Sequence, residues 1–119
     1  MSFATAIVLV ATAAATIGIA VADLARARFV LANSAQVGVP ESWLPGLAVL
    51  KGAGGFGLLL WFPGVPVLPA LAAAGLVCFF LGAVTAHVRA RALATIAFPC
   101  AYLGLAVASL ALLLLETGD

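Results

Sequence analysis

Four long apolar runs occupy most of this sequence, and short clusters of polar, glycine or proline residues separate them. A helix needs about 20 mainly apolar residues to cross the hydrocarbon core of a bilayer. Of the 119 residues, 66% are hydrophobic and only 8% are charged, a balance that soluble domains of this size do not have. The sequence therefore predicts one all-α integral membrane domain over residues 1–119, with the lipid bilayer as its surroundings.

The breaks between the runs predict the bounds of four transmembrane helices. They are helix 1 from Ser2 to Ala22, helix 2 from Leu44 to Phe62, helix 3 from Val67 to Val88 and helix 4 from Ala92 to Leu115. Short turns join helices 2, 3 and 4, which predicts a four-helix bundle with antiparallel neighbours. No Lys or Arg precedes helix 1, which favours a retained helix over a cleaved signal peptide.

The link between helices 1 and 2 is longer than the others and has a polar composition of its own. Its segment Arg26–Leu31 is predicted to lie in the headgroup layer, as a short amphipathic helix or as a continuation of helix 1. Pro99 lies inside predicted helix 4, where proline bends a helix and frees a carbonyl group. Small residues recur at four-residue spacing in all four helices and predict close helix packing.

The arginines predict the orientation of the chain in the membrane. Arg26 and Arg28 follow helix 1, and Arg89 and Arg91 follow helix 3, so both pairs fall on one side of the membrane. Loops rich in Lys and Arg remain on the cytoplasmic side. We therefore expect cytoplasmic arginine-bearing loops, both termini outside and, in a bacterial cell, a location in the inner membrane.

Lys51 is the most informative polar residue, because it lies seven residues into predicted helix 2, about 10 Å below the start of that helix. An unpaired ammonium at that depth costs about 3 kcal/mol. The side chain therefore either snorkels to the interface or turns inward to meet a carboxylate or a ligand. His87, at the end of helix 3, is either a satisfied structural group or a second site residue.

These two residues share the cytoplasmic half with Asp23 and Glu41, whereas the outer half is nearly without polar features. If the first link folds over the mouth of the bundle, the four groups would surround a pocket with apolar walls. The candidate catalytic residues are then Glu41 or Asp23 as a base and Lys51 or His87 as an acid or charge stabiliser. The simpler interpretation is that the charges only set the topology.

Several functions are disfavoured by what the chain contains. Five basic and four acidic residues do not provide the positive field that nucleic acid binding needs. One histidine and two separated cysteines, Cys78 and Cys100, supply neither a metal-ligand set nor a C-x-x-C redox pair. No cofactor motif is evident, so a quinone is the cofactor that stays open.

Three short stretches resemble a known family. They are Val37-Gly38-Val39-Pro40, the run from Leu50 to Leu60 that reads LKGAGGFGLLL, and Ala83-Val84-Thr85-Ala86-His87. With them the chain resembles the DoxX-like family of small four-helix membrane proteins. Founding members usually carry an acid before the helix 2 glycines, so Lys51 looks like a lysine-bearing branch. The resemblance implies roles as diverse as a thiosulfate:quinone oxidoreductase, complexes handling thiol stress, and receptor assembly.

Three hypotheses of function follow, and whether the chain is an enzyme stays open among them. The first is a membrane subunit of an oxidoreductase system that holds a quinone or another hydrophobic molecule in the cytoplasmic-side pocket. The second is an intramembrane acid/base enzyme, an isomerase, cyclase or hydrolase acting on a terpenoid or polyketide. The third is a non-catalytic interaction or assembly protein that binds a partner membrane protein or forms a homo-oligomer through its small-residue faces.

Overall fold

A computed structural model describes residues 3–117, which form five α-helices, one short 3₁₀ helix and no β-strand. The helices are α1 (Phe3–Leu24), α2 (Arg28–Gln36), α3 (Leu44–Leu59), α4 (Leu68–Arg89) and α5 (Ala97–Thr117), and the 3₁₀ helix is Glu41–Trp43. The all-α prediction is confirmed. The predicted start of helix 1 at Ser2 lies outside the described residues, and α2 is a fifth helix, in the link where a short helix was one of two alternatives.

Three helices of the described chain are long and apolar enough to cross a membrane: Phe3–Leu24, Leu68–Arg89 and Ala97–Glu116. The fourth predicted span is shorter than expected, since α3 has 16 residues and a length of about 24 Å. After Leu59 the chain winds into tighter turns in which Phe62 N–H donates to the Leu59 carbonyl, because Pro63 disfavours a helical residue before it. The chain is a multi-pass membrane protein.

The last helix begins later than the sequence predicted. α5 starts at Ala97 rather than Ala92, so Pro99 lies in its first turn. The N–H groups of the first turn have no acceptor within the helix, so a proline there removes no helical hydrogen bond. The expectation that Pro99 bends the helix interior is therefore wrong, and residues 90–96 form a longer connection than the expected tight turn.

The four long helices pack in a ring in which α1 contacts α3, α3 contacts α4, α4 contacts α5, and α5 contacts α1. Neighbours run in opposite directions. On α3, Gly52 faces Ala20 of α1, and Gly55, one turn later, faces the earlier residue Thr16. Since α1 and α4 are each antiparallel to α3, their carboxyl ends, with the two arginine pairs, lie at the same end of the molecule.

Glycines of α3 serve close helix packing, whereas the glycines of the other long helices do not. Gly54 of α3 lies against Leu76, and Gly57 lies against Ala72. By contrast Gly18, Gly82 and Gly104 are exposed and have no atom within 4 Å of where a Cβ would be. The predicted close packing is thus present between α3 and its neighbours, whereas these three glycines of α1, α4 and α5 face outward.

Candidate functional site

A buried ion pair joins Asp23 of α1 to Lys51 of α3. The aspartate is 4% exposed and the lysine 9% exposed, so both charges are withdrawn from solvent and lipid. Asp23 belongs to the last turn of α1. The predicted end of helix 1 at Ala22 had placed it in the link that follows. The buried face of α1 carries Thr16, Ala20 and Asp23 in turn, and this helical spacing directs the carboxylate toward α3.

The ion pair decides between the two orientations that the sequence left open for Lys51. Its side chain turns inward to a carboxylate instead of snorkelling to the interface. A charge held in a spanning segment without a partner is unfavourable by about 3 kcal/mol, and the opposite charge of Asp23 offsets that cost. The pair is therefore a specific link between α1 and α3 and the charged centre of the described chain.

Aromatic rings surround one side of this charged centre. Lys51 Nζ lies 5.6 Å from the centroid of the Phe79 ring on α4, within the range of a cation–π interaction. Phe79 meets Phe80 edge-on, and Phe80 stacks on Tyr102 of α5 with ring centroids 5.2 Å apart. Side chains of α4 and α5 thus extend the surroundings of the ion pair through stacked aromatic rings.

His87 forms a separate polar cluster nearer the end of the bundle. Its Nδ1 lies 2.9 Å from the Ala83 carbonyl oxygen, and its Nε2 lies 3.0 Å from Asn33 Oδ1 of α2. The imidazole ring thus lies between the backbone of α4 and the side chain of α2. Thr95 Oγ1 donates to the same Asn33 oxygen at 3.4 Å.

This cluster fastens α2 to the bundle, since α2 otherwise packs mainly against the 3₁₀ helix. Replacement of Asn33 by alanine should make the α2 amide protons exchange roughly fivefold faster, as expected when hydrogen bonding worth about 1 kcal/mol is lost. Hydrogen exchange measured by mass spectrometry checks this. Gln36→Ala is the control, because exposed Gln36 accepts only a 3.4 Å bond from Thr95. Equal acceleration in both variants would show that the His87 contact does not fasten α2.

Glu41, the fourth candidate, pairs with Arg26, and both side chains are more than half exposed. The four predicted site residues are therefore divided among three contacts: Asp23 with Lys51, Glu41 with Arg26, and His87 with Asn33. Along α4, His87 lies eight residues beyond Phe79, which separates the histidine cluster from the level of Lys51 by about 12 Å.

An apolar groove of about 650 Å³ lies between α3 and α4. Its walls include Leu50, Leu68 and Leu71, each more than half exposed, so the groove opens sideways onto the lipid-facing surface. Gly75 leaves space that a larger side chain would occupy, whereas Gly54 and Gly57 form the floor of the groove where α3 packs against Leu76 and Ala72. The lining ends at Phe79, the residue next to the Lys51 ammonium, and contains none of the four predicted site residues.

Sequence reasoning missed further polar contacts and the partners of the predicted residues. Asn33 and Phe79 were not singled out, because only the fold brings them to His87 and Lys51. The half of the molecule away from the arginine pairs was expected to be nearly without polar features, yet Thr12 and Ser109 share a buried 2.9 Å hydrogen bond, and Trp61 Nε1 donates to Glu116 Oε2 at 3.1 Å. Residues 3–117 contain no group of three or more His, Cys, Asp or Glu side chains arranged to hold a metal ion.

Comparison with known protein families identifies a match over most of the chain. The sequence model described as the DoxX-like family matches residues 7–109, which is most of the chain and includes Asp23, Lys51 and His87. No curated protein and no solved structure matches the chain significantly.

Proposed function

Because this chain belongs to the DoxX-like family of multi-pass membrane proteins, we propose that it binds a lipid-soluble quinone in the groove between α3 and α4. In this proposal it acts as a membrane subunit that holds the quinone for a partner oxidoreductase, and the partner supplies the electrons. The protein lies in the inner membrane, with its arginine end in the cytoplasm and its termini outside.

The observation that carries the proposal is the position of the groove relative to the charged centre. The groove is lined by apolar side chains and ends at Phe79, whose ring lies next to the Lys51 ammonium. A quinone has the same division, with an apolar isoprenoid tail and a ring that carries carbonyl oxygens. The ring would lie at the Phe79 end, and the tail would follow the wall toward Leu68, eleven residues or about 16 Å away.

The size and lining of the groove also support a ligand of this class. A volume of about 650 Å³ lies within the usual range for small-molecule sites, which are mostly apolar with few polar groups. The acid/base enzyme hypothesis gains less support, since Glu41 is engaged at the surface with Arg26.

A variant that fills the groove provides the test. Gly75→Leu on α4 adds a side chain where no atom lies within 4 Å of the Cβ position, so it occupies the groove without disturbing the helix packing. We expect quinone binding to weaken roughly tenfold, which corresponds to about 1.4 kcal/mol. Binding is measured in nanodiscs by photo-crosslinking with an azido-quinone and by competition with the unmodified quinone.

Gly82→Leu is the matched control, because Gly82 is also an exposed glycine of α4 with open space around it and does not line the groove. Its quinone binding should equal that of the unchanged protein. Identical binding in both variants, or crosslinks that map away from α3 and α4, would contradict the proposed site.

A further inference from the structure

The two helices that end on the arginine side of the bundle stop in the same way. After α1, Ala27 N–H donates to the Ala22 carbonyl, and after α4, Ala92 N–H donates to the His87 carbonyl. Each of these hydrogen bonds closes a helix end, and the residue that precedes the donor has a left-handed backbone conformation. Those residues are Arg26 and Arg91, both with φ of +56°.

An arginine at this position is unexpected on backbone grounds. Glycine is the usual residue there, because the left-handed conformation disfavours every residue that has a Cβ. The chain nevertheless places arginine at both ends, and α1 and α4 point to the same side of the membrane. The positive side chains therefore occupy positions where glycine would fit the backbone better.

Charge at this end is only partly compensated. Arg26 pairs with Glu41, and Lys51 pairs with Asp23. Arg28, Arg89 and Arg91 are exposed, and none of the ion pairs found within residues 3–117 includes them. Three positive charges thus face the medium at the end where two spanning helices, α1 and α4, terminate.

Apolar side chains next to these arginines fix their level relative to the membrane. Phe29 follows Arg28, Val88 precedes Arg89, and Leu93 lies two residues after Arg91; they are 62%, 54% and 62% exposed. Such side chains favour the acyl-chain boundary, while the long arginine side chains reach the headgroup layer. We therefore expect the guanidinium groups at the depth of the lipid phosphates.

We propose that Arg28, Arg89 and Arg91 form a binding surface for anionic phospholipid headgroups. A guanidinium binds phosphate through two parallel N–H groups, and an anionic lipid such as phosphatidylglycerol adds net charge that phosphatidylcholine lacks. This surface is distinct from the α3–α4 groove, so the proposal does not depend on quinone binding.

Replacement of Arg91 by glycine tests the proposal, because it removes the charge and also relieves the left-handed backbone. We expect retention of phosphatidylglycerol, measured by native mass spectrometry after delipidation and lipid titration, to fall about fivefold. The thermal midpoint in detergent should stay equal or rise. Arg26→Gly/Glu41→Gln is the matched control: its backbone changes in the same way as in Arg91→Gly, but it removes both charges of an ion pair and leaves the net charge unchanged, so lipid retention should change less than twofold.

Two comparisons identify the source of the phosphate. Phosphatidylcholine with the same acyl chains should bind equally to the Arg91→Gly and unchanged proteins, and millimolar inorganic phosphate should not displace phosphatidylglycerol. Arg89→Gln, within α4, should reproduce the loss if Arg91→Gly fails to fold. Equal losses in the Arg26 and Arg91 variants, the same loss for phosphatidylcholine, or displacement by inorganic phosphate would each overturn the proposal.

Discussion

Replacement of Lys51 by methionine should lower the free energy of unfolding by about 3 kcal/mol, because Asp23 then stays buried without its counter-ion. Asp23→Asn should destabilise the protein similarly, by leaving the ammonium unpaired. The double variant Asp23→Asn/Lys51→Met should recover most of the loss, since neither charge remains. Steric trapping in detergent or bicelles measures these free energies.

The exposed ion pair between Arg26 and Glu41 supplies the matched control for these single and double variants. Arg26→Met and Glu41→Gln also remove an ion pair, but one whose side chains are more than half exposed. Exposed pairs contribute about 0 to 1 kcal/mol, so each single variant should change stability by less than 1 kcal/mol. A double variant of Asp23 and Lys51 as unstable as the sum of its single variants would contradict a direct pairing of the two charges.

Replacement of Gly55 by valine should destabilise the protein by about 3 kcal/mol, because α1 leaves no room for the added side chain. A Cβ at this position would lie 3.0 Å from Ile17 Cγ1 and 3.3 Å from the Ala13 backbone oxygen, and it would also meet Thr16. The backbone oxygen cannot rotate away, so α1 and α3 must separate. Thermal unfolding in mild detergent gives the change in stability.

Gly82→Val is the comparison for Gly55→Val, since both positions are helical glycines and the space around Gly82 is open. Its midpoint should differ little from that of the unchanged protein. Similar losses for the two variants would mean that the glycines of α3 are not needed for close approach to α1.

Helical spacing explains why part of the charged centre was predictable from sequence. The depth of Lys51 follows from counting residues, and its need for a partner follows from the cost of a bare charge in lipid. The partner also has a sequence signal, because Asp23 continues the spacing of Thr16 and Ala20 on one face of α1. The predicted boundary of helix 1 at Ala22 excluded Asp23 from that face.

Other parts of the structure depend on packing that apolar runs do not encode. Asn33 reaches His87 only because α2 folds against the end of the bundle. The start of α5 was missed because residues 92–98 are mostly apolar, although proline in a first helical turn offered a signal at Pro99. Hydropathy gives the length of an apolar run, but it does not show where helical hydrogen bonding begins or ends.

The sideways opening of the α3–α4 groove determines how any occupant reaches it. Leu50 and Leu71 flank the groove on the surface that faces acyl chains, so a molecule enters by two-dimensional diffusion within the bilayer. Occupancy then depends on the mole fraction of that molecule among the lipids and not on its concentration in water. If the proposed quinone occupies the groove, dilution of the membrane with inert lipid should empty it, whereas dilution of the surrounding buffer should leave it filled.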